Sequence, residues 1–278
     1  MNAAKITRES KSNLALAFVA LNRERREDIT IFYAFCRVID DIADSTGLSI
    51  QEKARDLTAW RGWLREGTPD EPALARDLRG LIAKYSLKPE MLEEIIDGVE
   101  MDLSNVRYGS FEELRLYCYR VASAVGLVSI EIFGYRNPAC REYAIQLGLG
   151  LQMTNIIRDV GKDLSNGRVY LPQEDLTRCG YREEDLRLKK YNEPFLRLMK
   201  FEAARAEGFF AQAASLLPRE DHRSMVAAEI MRSVYHALLR RMKADGFRVF
   251  EKEYRLTRLE KSGRVAAQLF RVCLNARR

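Results

Sequence analysis

The chain has 278 residues, of which 47% are apolar and 31% are charged, a composition typical of a folded protein with a sizeable core. Its five cysteines are scattered and never spaced as C-x-x-C, and its only histidines are His222 and His236, which disfavours a disulfide framework, a zinc site and a Ser-His-Asp triad. The apolar run 121–134 is too short for a membrane span, and the polar N-terminal residues lack the apolar core of a signal peptide, so we expect a cytoplasmic protein.

The net charge of +6 is unevenly distributed along the chain. Residues 238–278 hold twelve Lys or Arg and four Asp or Glu, a local net charge of +8. Such a segment could bind nucleic acid, anionic lipid or a diphosphate, or could form a solvated helical face. Few aromatic side chains that could stack on bases accompany these charges, so we expect no nucleic-acid partner.

In chain order, the apolar periodicity predicts helices almost throughout, and all seven prolines fall between periodic segments or at their edges. No alternating run bounded by hairpin turn residues emerges. The expected helices cover roughly 10–22, 27–45, 50–66, 71–85, 89–105, 110–135, 139–163, 194–217, 220–245 and a basic stretch after 255. Residues 164–190 are the least regular and are predicted to form a mobile loop. Without internal repeats or linkers, we predict one all-α domain over 1–278.

The first feature with chemical meaning is the acidic cluster DDIAD at residues 40–44. On a helical projection, Tyr33, Arg37, Asp40 and Asp44 fall within about 60°, while Asp41 lies to one side. The opposite face is apolar: Phe32, Phe35, Cys36, Ile39, Ile42 and Ala43. Two carboxylates at i and i+4, with an arginine one turn earlier, could bind divalent cations that carry a phosphate group. A solvated charged stripe is the alternative.

A second polar stripe, in LGLGLQMTNIIRDVGKD, consists of Gln152, Asn155, Asp159 and Asp163, within an arc of about 80°. Apolar side chains occupy almost all the rest of this helix, which is typical of a buried helix, so the stripe must point into the protein. Two carboxylates about 4 Å apart repel by about 1 kcal/mol in water and by about 4 kcal/mol at an effective dielectric constant of 20. We therefore expect a positive charge beside them.

Two sources of that positive charge stay open. An all-oxygen ligand set suits Mg²⁺ or Mn²⁺ better than zinc, whereas an ion pair with Arg158 or Arg168 needs no metal. Two aspartate pairs on separate helices fit a cavity in which metal ions hold a diphosphate and make it a better leaving group. Apolar walls would then accommodate a long hydrocarbon and exclude water from a carbocation.

The strings YAFCRVIDDIAD, YCYRVASAVG and NIIRDVGKDLSNGRVYLPQEDL resemble, in order and separation, three diagnostic segments of the squalene/phytoene synthase family. The resemblance runs from about residue 10 to about residue 260. The sequence MDL at 101–103, VASAVGLVSIEIFG and the late ADGFRVF are most similar to bacterial presqualene diphosphate synthases of the hopanoid type. This resemblance implies the all-α fold of the class I terpenoid (isoprenoid) synthases, a helical bundle around a central cavity.

The resemblance also implies roles for individual residues. Four aspartates and one asparagine match the family's metal motifs: Asp40, Asp44, Asp159, Asp163 and Asn155. The set expected to bind substrate diphosphates is Arg37, Arg158, Arg168, Gln152 and Ser12. Three tyrosines match the family's cavity tyrosines, Tyr33, Tyr117 and Tyr170, and Tyr117 is expected to assist proton transfer or to stabilise a cation. Lys162 departs from the family pattern, which commonly has glutamate there.

The implied reaction is the Mg²⁺-dependent (or Mn²⁺-dependent) head-to-head condensation of two farnesyl diphosphates to presqualene diphosphate. Further conversion to squalene, and with it the use of NADPH, stays open. The alternatives are a phytoene synthase that joins two geranylgeranyl diphosphates, a dehydrosqualene synthase, and a non-catalytic helical assembly factor with the same fold. Any membrane contact is expected to be peripheral, at the inner face of the membrane and through the basic C-terminal region.

Overall fold

The structure, a computed structural model, describes residues 17–104 and 107–275. These two ranges are helical and contain no β-strand, which confirms the predicted all-α class. The helices are α1 (Arg23–Asp44), α2 (Ile50–Arg65), α3 (Ala73–Tyr85), α4 (Pro89–Ser104), α5 (Phe111–Cys118), α6 (Ala124–Phe133), α7 (Ala139–Ser165), α8 (Gln173–Cys179), α9 (Glu183–Arg187), α10 (Glu193–Leu216), α11 (Val226–Ala244) and α12 (Arg258–Asn275). Short 3₁₀ turns lie at Phe18–Ala20 and Arg219–Asp221.

The first helices begin where side chains satisfy free backbone N–H groups. The Asn22 side chain accepts a hydrogen bond from the Arg25 N–H at 2.9 Å, so α1 begins at Arg23. At the start of α2, Ser49 and Glu52 form a capping box in which each side chain accepts from the other's backbone N–H. These caps fix where α1 begins, and its 22 residues then carry the DDIAD cluster to its C-terminal end.

Helix α7 forms the centre of the bundle and packs against α6, α10 and α11. Most of its side chains are buried, as the nearly continuous apolar pattern predicts. A turn of π-helix, Tyr119–Ser123, joins α5 to α6 and lies directly against α7. Gly148 permits this approach, because a Cβ atom at that position would lie only 2.6 Å from the Ser123 Cα. The Ser123 hydroxyl also donates to the Ile145 carbonyl oxygen at 2.8 Å.

In the expected helix 10–22, residues 10–16 lie outside the described residues, Ala17 is helical, and the 3₁₀ turn Phe18–Ala20 ends the helical stretch two residues before its predicted end. The structure corrects two other predicted segments. The expected helix 110–135 is interrupted by the π-helical turn. The segment 164–190, predicted to be an irregular loop, contains α8 and α9, because Leu176 and Leu186 are buried and anchor these short helices. The single domain stays a prediction.

Among the described residues, one helical stretch, Phe111–Phe133, is long and apolar enough to cross a membrane by length and composition alone. It comprises α5, the π-helical turn and α6, and more than half of its most apolar window is buried inside the protein. Its contacts with α4 and α7 account for this apolar composition, as expected for a core helix.

Candidate active site

A cavity of about 270 Å³ lies between α1, α4, α5 and α7 and is closed on one side by residues 168–170. We call it the carboxylate cavity. Ten residues predicted from the sequence line it: Asp40, Asp44, Tyr117, Gln152, Asn155, Arg158, Asp159, Asp163, Arg168 and Tyr170. The cavity thus brings together side chains from helices that are far apart in the chain, as a binding site for a small molecule requires.

The four predicted metal-binding aspartates lie at the C-terminal ends of two helices. Asp40 and Asp44 are in the last two turns of α1, and Asp159 and Asp163 are in the last two turns of α7. Each pair is spaced i, i+4, so both carboxylates of a pair project from the same face. The C-terminal end of a helix carries a partial negative charge, which adds to that of the carboxylates. The cavity therefore favours a cation strongly.

Burial changes the acidity of this site. Burial raises the pKa of Asp40 to about 7. The Arg37 guanidinium opposes this shift, and the Asp44 carboxylate adds a smaller increase. Burial also raises the pKa of Asp163 to about 7, and the neighbouring Asp159 carboxylate raises it further. The Asp40 side chain is 48% exposed, but it lines a cavity enclosed by helices, so the surrounding protein still disfavours its charge.

The arginines form ion pairs that neutralise only part of the negative charge. Arg158 forms a bidentate pair with the adjacent Asp159, with 2.8 Å between Arg158 Nε and Asp159 Oδ1. Arg168 Nη1 lies 3.3 Å from Asp44 Oδ1 and so links the loop after α7 to α1. These pairs are the metal-free alternative considered above. The ion pairs leave carboxylates in excess of guanidinium groups, because five carboxylates and only two guanidinium groups line the cavity.

An unpaired oxygen supports a metal ion as the missing partner. The Asn155 side chain donates through Nδ2 to Gln152 Oε1 at 3.2 Å, whereas Asn155 Oδ1 is buried without a hydrogen-bond partner in the described part of the chain. A buried amide oxygen is costly unless something donates or coordinates to it. Carboxylate and amide oxygens are the protein ligands that Mg²⁺ prefers. The residues of the carboxylate cavity therefore fit this ion.

The described residues contain no cluster of three His, Cys, Asp or Glu side chains close enough to hold one metal ion unaided. This agrees with the usual behaviour of Mg²⁺, which is held by one or two carboxylates together with substrate phosphate oxygens and water. The cavity is therefore suited to bind the metal and a diphosphate together rather than the metal alone.

A fifth carboxylate, Asp102 of α4, was not among the predicted site residues. Its Oδ2 accepts from the Tyr117 hydroxyl at 3.0 Å, and its Oδ1 accepts from the Tyr170 hydroxyl at 2.7 Å. The two tyrosine rings stack with centroids 5.1 Å apart. Burial raises the pKa of Tyr117 well above its usual value, and Asp102 adds to this effect, so its hydroxyl keeps its proton. The sequence feature that could have indicated Asp102 is its position on the same helical face as the apolar residues Ile95 and Val99.

Among the described residues, two predicted site residues do not line the carboxylate cavity. Tyr33 is buried beside Phe18, with the two rings edge to face at 6.1 Å. Arg37 lies beside the cavity, where it pairs with Asp41 and comes within 3.7 Å of Asp40. Ser12 lies outside the described residues.

A second cavity, of about 90 Å³, lies between α6, α7 and α11 and has almost entirely apolar walls. We call it the apolar cavity. Leu147 and Leu151 of α7 line it, whereas Gln152 and Asn155 on the next turn line the carboxylate cavity. The two cavities therefore follow one another along α7. Together they are suited to a ligand with an anionic head and a hydrocarbon tail.

Comparison with known proteins agrees with this arrangement. Residues 7–260 match the family model of the squalene/phytoene synthases. The chain is 33% identical to the phytoene synthase of Mycobacterium tuberculosis over 267 residues, covering 95% of this chain and 88% of the relative. It is 37% identical to the presqualene diphosphate synthase of Rhodopseudomonas palustris over 240 residues, covering 85% of each.

Among solved structures, a dehydrosqualene synthase in complex with a ligand superposes with a TM-score of 0.85 at 24% identity, covering 97% of this chain and 95% of the other. That likeness concerns the fold, which is the isoprenoid synthase fold predicted from the sequence. With the family model spanning most of the chain and relatives above 30% identity over nearly its whole length, this protein belongs to the squalene/phytoene synthase family of prenyl-transferring enzymes.

Proposed function

We propose that this enzyme condenses two molecules of farnesyl diphosphate head to head to form presqualene diphosphate and inorganic diphosphate. The observation that carries the proposal is that the carboxylate cavity and the apolar cavity lie one after the other along α7. One end suits a metal-bound diphosphate and the other suits an isoprenoid chain. The presqualene diphosphate synthase of Rhodopseudomonas palustris, at 37% identity, supports the same reaction.

In this proposal, Mg²⁺, when bound, withdraws charge from the diphosphate and makes it a better leaving group. Asp40, Asp44, Asp159, Asp163 and the Asn155 oxygen would hold the metal. The guanidinium groups of the cavity, on Arg158 and Arg168, would bind phosphate oxygens, with Arg37 beside them. When the substrate and its metal ions bind, Arg158 and Arg168 would separate from their aspartate partners. The arginines would then bind phosphate oxygens, and the aspartates would bind metal ions.

The first farnesyl group loses its diphosphate and becomes an allylic cation, which the 2,3 double bond of the second farnesyl diphosphate attacks. Loss of a proton then closes a cyclopropane ring. Tyr117 and Tyr170 line the cavity, and their aromatic rings would stabilise the positive charge. Asp102 fixes both hydroxyl groups, and the apolar walls keep water from the cation.

The choice of farnesyl diphosphate rests on the 37% identity to the presqualene diphosphate synthase of Rhodopseudomonas palustris. The alternative, a phytoene synthase acting on two geranylgeranyl diphosphates, is favoured by the 33% identity to the phytoene synthase of Mycobacterium tuberculosis over almost the whole chain. Four bulky side chains line the apolar cavity, Phe18, Phe133, Tyr143 and Met231, and its volume is about 90 Å³. Both isoprenoid chains are larger than this volume, so either substrate requires these walls to move apart.

The test is to incubate the purified protein with Mg²⁺ and either substrate, with and without NADPH, and to identify the products by mass spectrometry. We expect presqualene diphosphate from farnesyl diphosphate. Squalene only when NADPH is added would extend the reaction by a reductive second step. Phytoene from geranylgeranyl diphosphate, with farnesyl diphosphate left unconsumed, would overturn the proposal in favour of the alternative. Consumption of neither substrate would favour a non-catalytic role.

A further inference from the structure

Helix α12 presents an apolar face that no described part of the protein covers. The helix packs on α11 through one side, on which Val265 and Gln268 are buried and Arg264 Nη1 donates to the Ser233 hydroxyl at 3.2 Å. The opposite side, which we call the outer face of α12, consists of Leu259, Gly263, Ala266, Ala267 and Phe270. Leu259 is 86% exposed and Phe270 is 65% exposed. Such a face is unusual on a helix that remains in water.

Basic side chains flank this apolar face. Arg258 and Arg271 are exposed, are adjacent in sequence to Leu259 and Phe270, and form no ion pair with a carboxylate in the part of the chain that the structure describes. Lys261, four residues before the buried Val265, lies instead on the side of α12 that packs on α11. The helix's one acidic residue, Glu260, is already paired with Arg241 of α11. An apolar face bordered by unpaired positive charges is the pattern of helices that lie in the headgroup region of an anionic membrane.

A wide surface cavity of about 780 Å³ lies beside the outer face of α12, and we call it the arginine-rimmed cavity. Leu269 of α12 lines it, together with three arginines from elsewhere in the chain, Arg25, Arg136 and Arg223. Two carboxylates, Glu220 and Asp221, also line the cavity, so three positive and two negative side chains leave a net charge of +1 there, which adds to the positive charge of α12. Phosphate groups of lipids would be attracted to this whole surface.

The arginine-rimmed cavity lies directly against the apolar cavity. At two separate places, consecutive residues line the two cavities: Phe133 and Gly134 at the end of α6, and Val226 and Ala227 at the start of α11. The thin wall between the cavities therefore consists of these residues. It separates the compartment for hydrocarbon from the surface next to α12.

We propose that the outer face of α12 docks on an anionic lipid bilayer, with Leu259 and Phe270 inserted among the lipids and the flanking basic residues at the phosphate groups. Docked in this way, the arginine-rimmed cavity lies next to the bilayer, and the hydrocarbon part of the product, in the apolar cavity, has a short route to the membrane. This last step rests on the proposed function, whereas docking itself does not.

The experiment is a vesicle flotation assay on the full chain, with vesicles of phosphatidylcholine alone or with about 30% phosphatidylglycerol. We expect binding to the anionic vesicles and a partition coefficient more than ten-fold lower for Leu259→Glu/Phe270→Glu. Replacement of Arg258 or Arg271 by Gln should weaken binding roughly five-fold each. The matched control is Ile50→Glu/Leu188→Glu, which changes two side chains that are also well exposed, at 61% and 58%, but lie away from α12.

Equal vesicle binding by the wild type and Leu259→Glu/Phe270→Glu would overturn the proposal, and so would an absence of binding to anionic vesicles. A dimer in solution that dissociates in the same variant, without vesicle binding, would instead assign the outer face of α12 to contact between copies. Since flotation needs no turnover, it distinguishes a failure of docking from a failure of the proposed reaction. Circular dichroism should show that both double variants are folded.

Discussion

Two groups of carboxylates in this protein have similarly raised pKa values but different surroundings. The first is the carboxylate cavity, where burial raises the pKa of Asp40 and of Asp163 to about 7. The second, which we call the Glu202 cluster, consists of Glu202, Asp175 and Arg205 between α8 and α10. Burial raises the pKa of Glu202 to about 8, because its side chain has no exposed surface. A raised pKa alone does not distinguish the two groups.

What distinguishes the two groups is the space beside them. Arg205 donates to Asp175 at 2.8 Å and to Glu202 at 2.6 Å, and its guanidinium group stacks 3.8 Å from the centre of the Phe111 ring. The cluster thus carries its own cation and is packed on all sides. Both groups have more carboxylates than guanidinium groups, and each has a buried side-chain oxygen without a hydrogen-bond partner, Asn155 Oδ1 in one and Glu202 Oε1 in the other. Only the carboxylate cavity has room for a ligand, and that space, rather than acidity, indicates the active site.

The largest effect expected from this comparison is on turnover. Asp40→Asn and Asp159→Asn should each lower the turnover of farnesyl diphosphate about 1000-fold or more, because each removes a charge that binds metal ions. Release of inorganic diphosphate measures this directly. Asp41→Asn is the matched control, since Asp41 is adjacent to Asp40 but is absent from the cavity lining, and its turnover should change less than about ten-fold. Similar turnover in Asp40→Asn and Asp41→Asn would show that lining the carboxylate cavity does not determine which aspartate is needed for turnover.

A smaller effect is expected for Asp102, which we infer to be a positioning residue. Asp102→Asn should lower kcat about 10- to 100-fold, because the hydroxyl groups of Tyr117 and Tyr170 lose a charged acceptor. The loss should be non-additive with that of Tyr117→Phe in a double-mutant cycle. Asp97→Asn, on the same helix but paired with Arg61, is the control. Additive losses would mean that Asp102 acts independently of the tyrosine.

Ligand binding should stabilise the protein through one group of carboxylates and not the other. Mg²⁺ with inorganic diphosphate at about 100 times the dissociation constant should stabilise the folded state by about 2.7 kcal/mol, which corresponds to a rise in Tm of roughly 5 °C. Differential scanning fluorimetry measures this shift. We expect Glu202→Gln to keep the shift and Asp159→Asn to lose most of it. The opposite pattern would assign ligand binding to the Glu202 cluster.

The smallest effect concerns the pH dependence of stability. The pKa of Glu202 in the folded state, about 8, lies above its ordinary value of 4.5, so the folded protein retains a proton that the unfolded chain releases. This stabilisation is complete below about pH 4.5 and is lost as the pH rises through 8. The free energy of unfolding should fall by at most about 1.4 kcal/mol per pH unit from this group. Urea unfolding at pH 6 and pH 9 should show a smaller fall for Glu202→Gln, and an equal fall would show that Glu202 is ionised throughout.

Local periodicity predicted the helices and the two aspartate stripes, whereas the tyrosines and arginines of the site were predicted from the resemblance to the family. Asp159 and Asp163 lie on a helix that is apolar on nearly every side, so their direction into the protein followed from the pattern alone. Asp102 was missed because its role depends on α4 meeting α5 and the residues after α7, which no local pattern contains. Tyr33 shares a helical face with Asp40 in projection, yet it is two turns away and lies beside Phe18. Periodicity predicts which side chains share one face of a helix, whereas tertiary packing determines which residues that face contacts.

The central claim is that the carboxylate cavity binds metal ions and a substrate diphosphate together. Its most direct test is a crystal structure with Mn²⁺ and a farnesyl diphosphate analogue whose carbon–oxygen bond cannot ionise, with the metal located by anomalous scattering. We predict Mn²⁺ within bonding distance of carboxylate oxygens of both aspartate pairs and of the diphosphate, with the farnesyl chain in the apolar cavity. Mn²⁺ and the diphosphate bound elsewhere, with Asn155 Oδ1 still unpaired, would contradict this account.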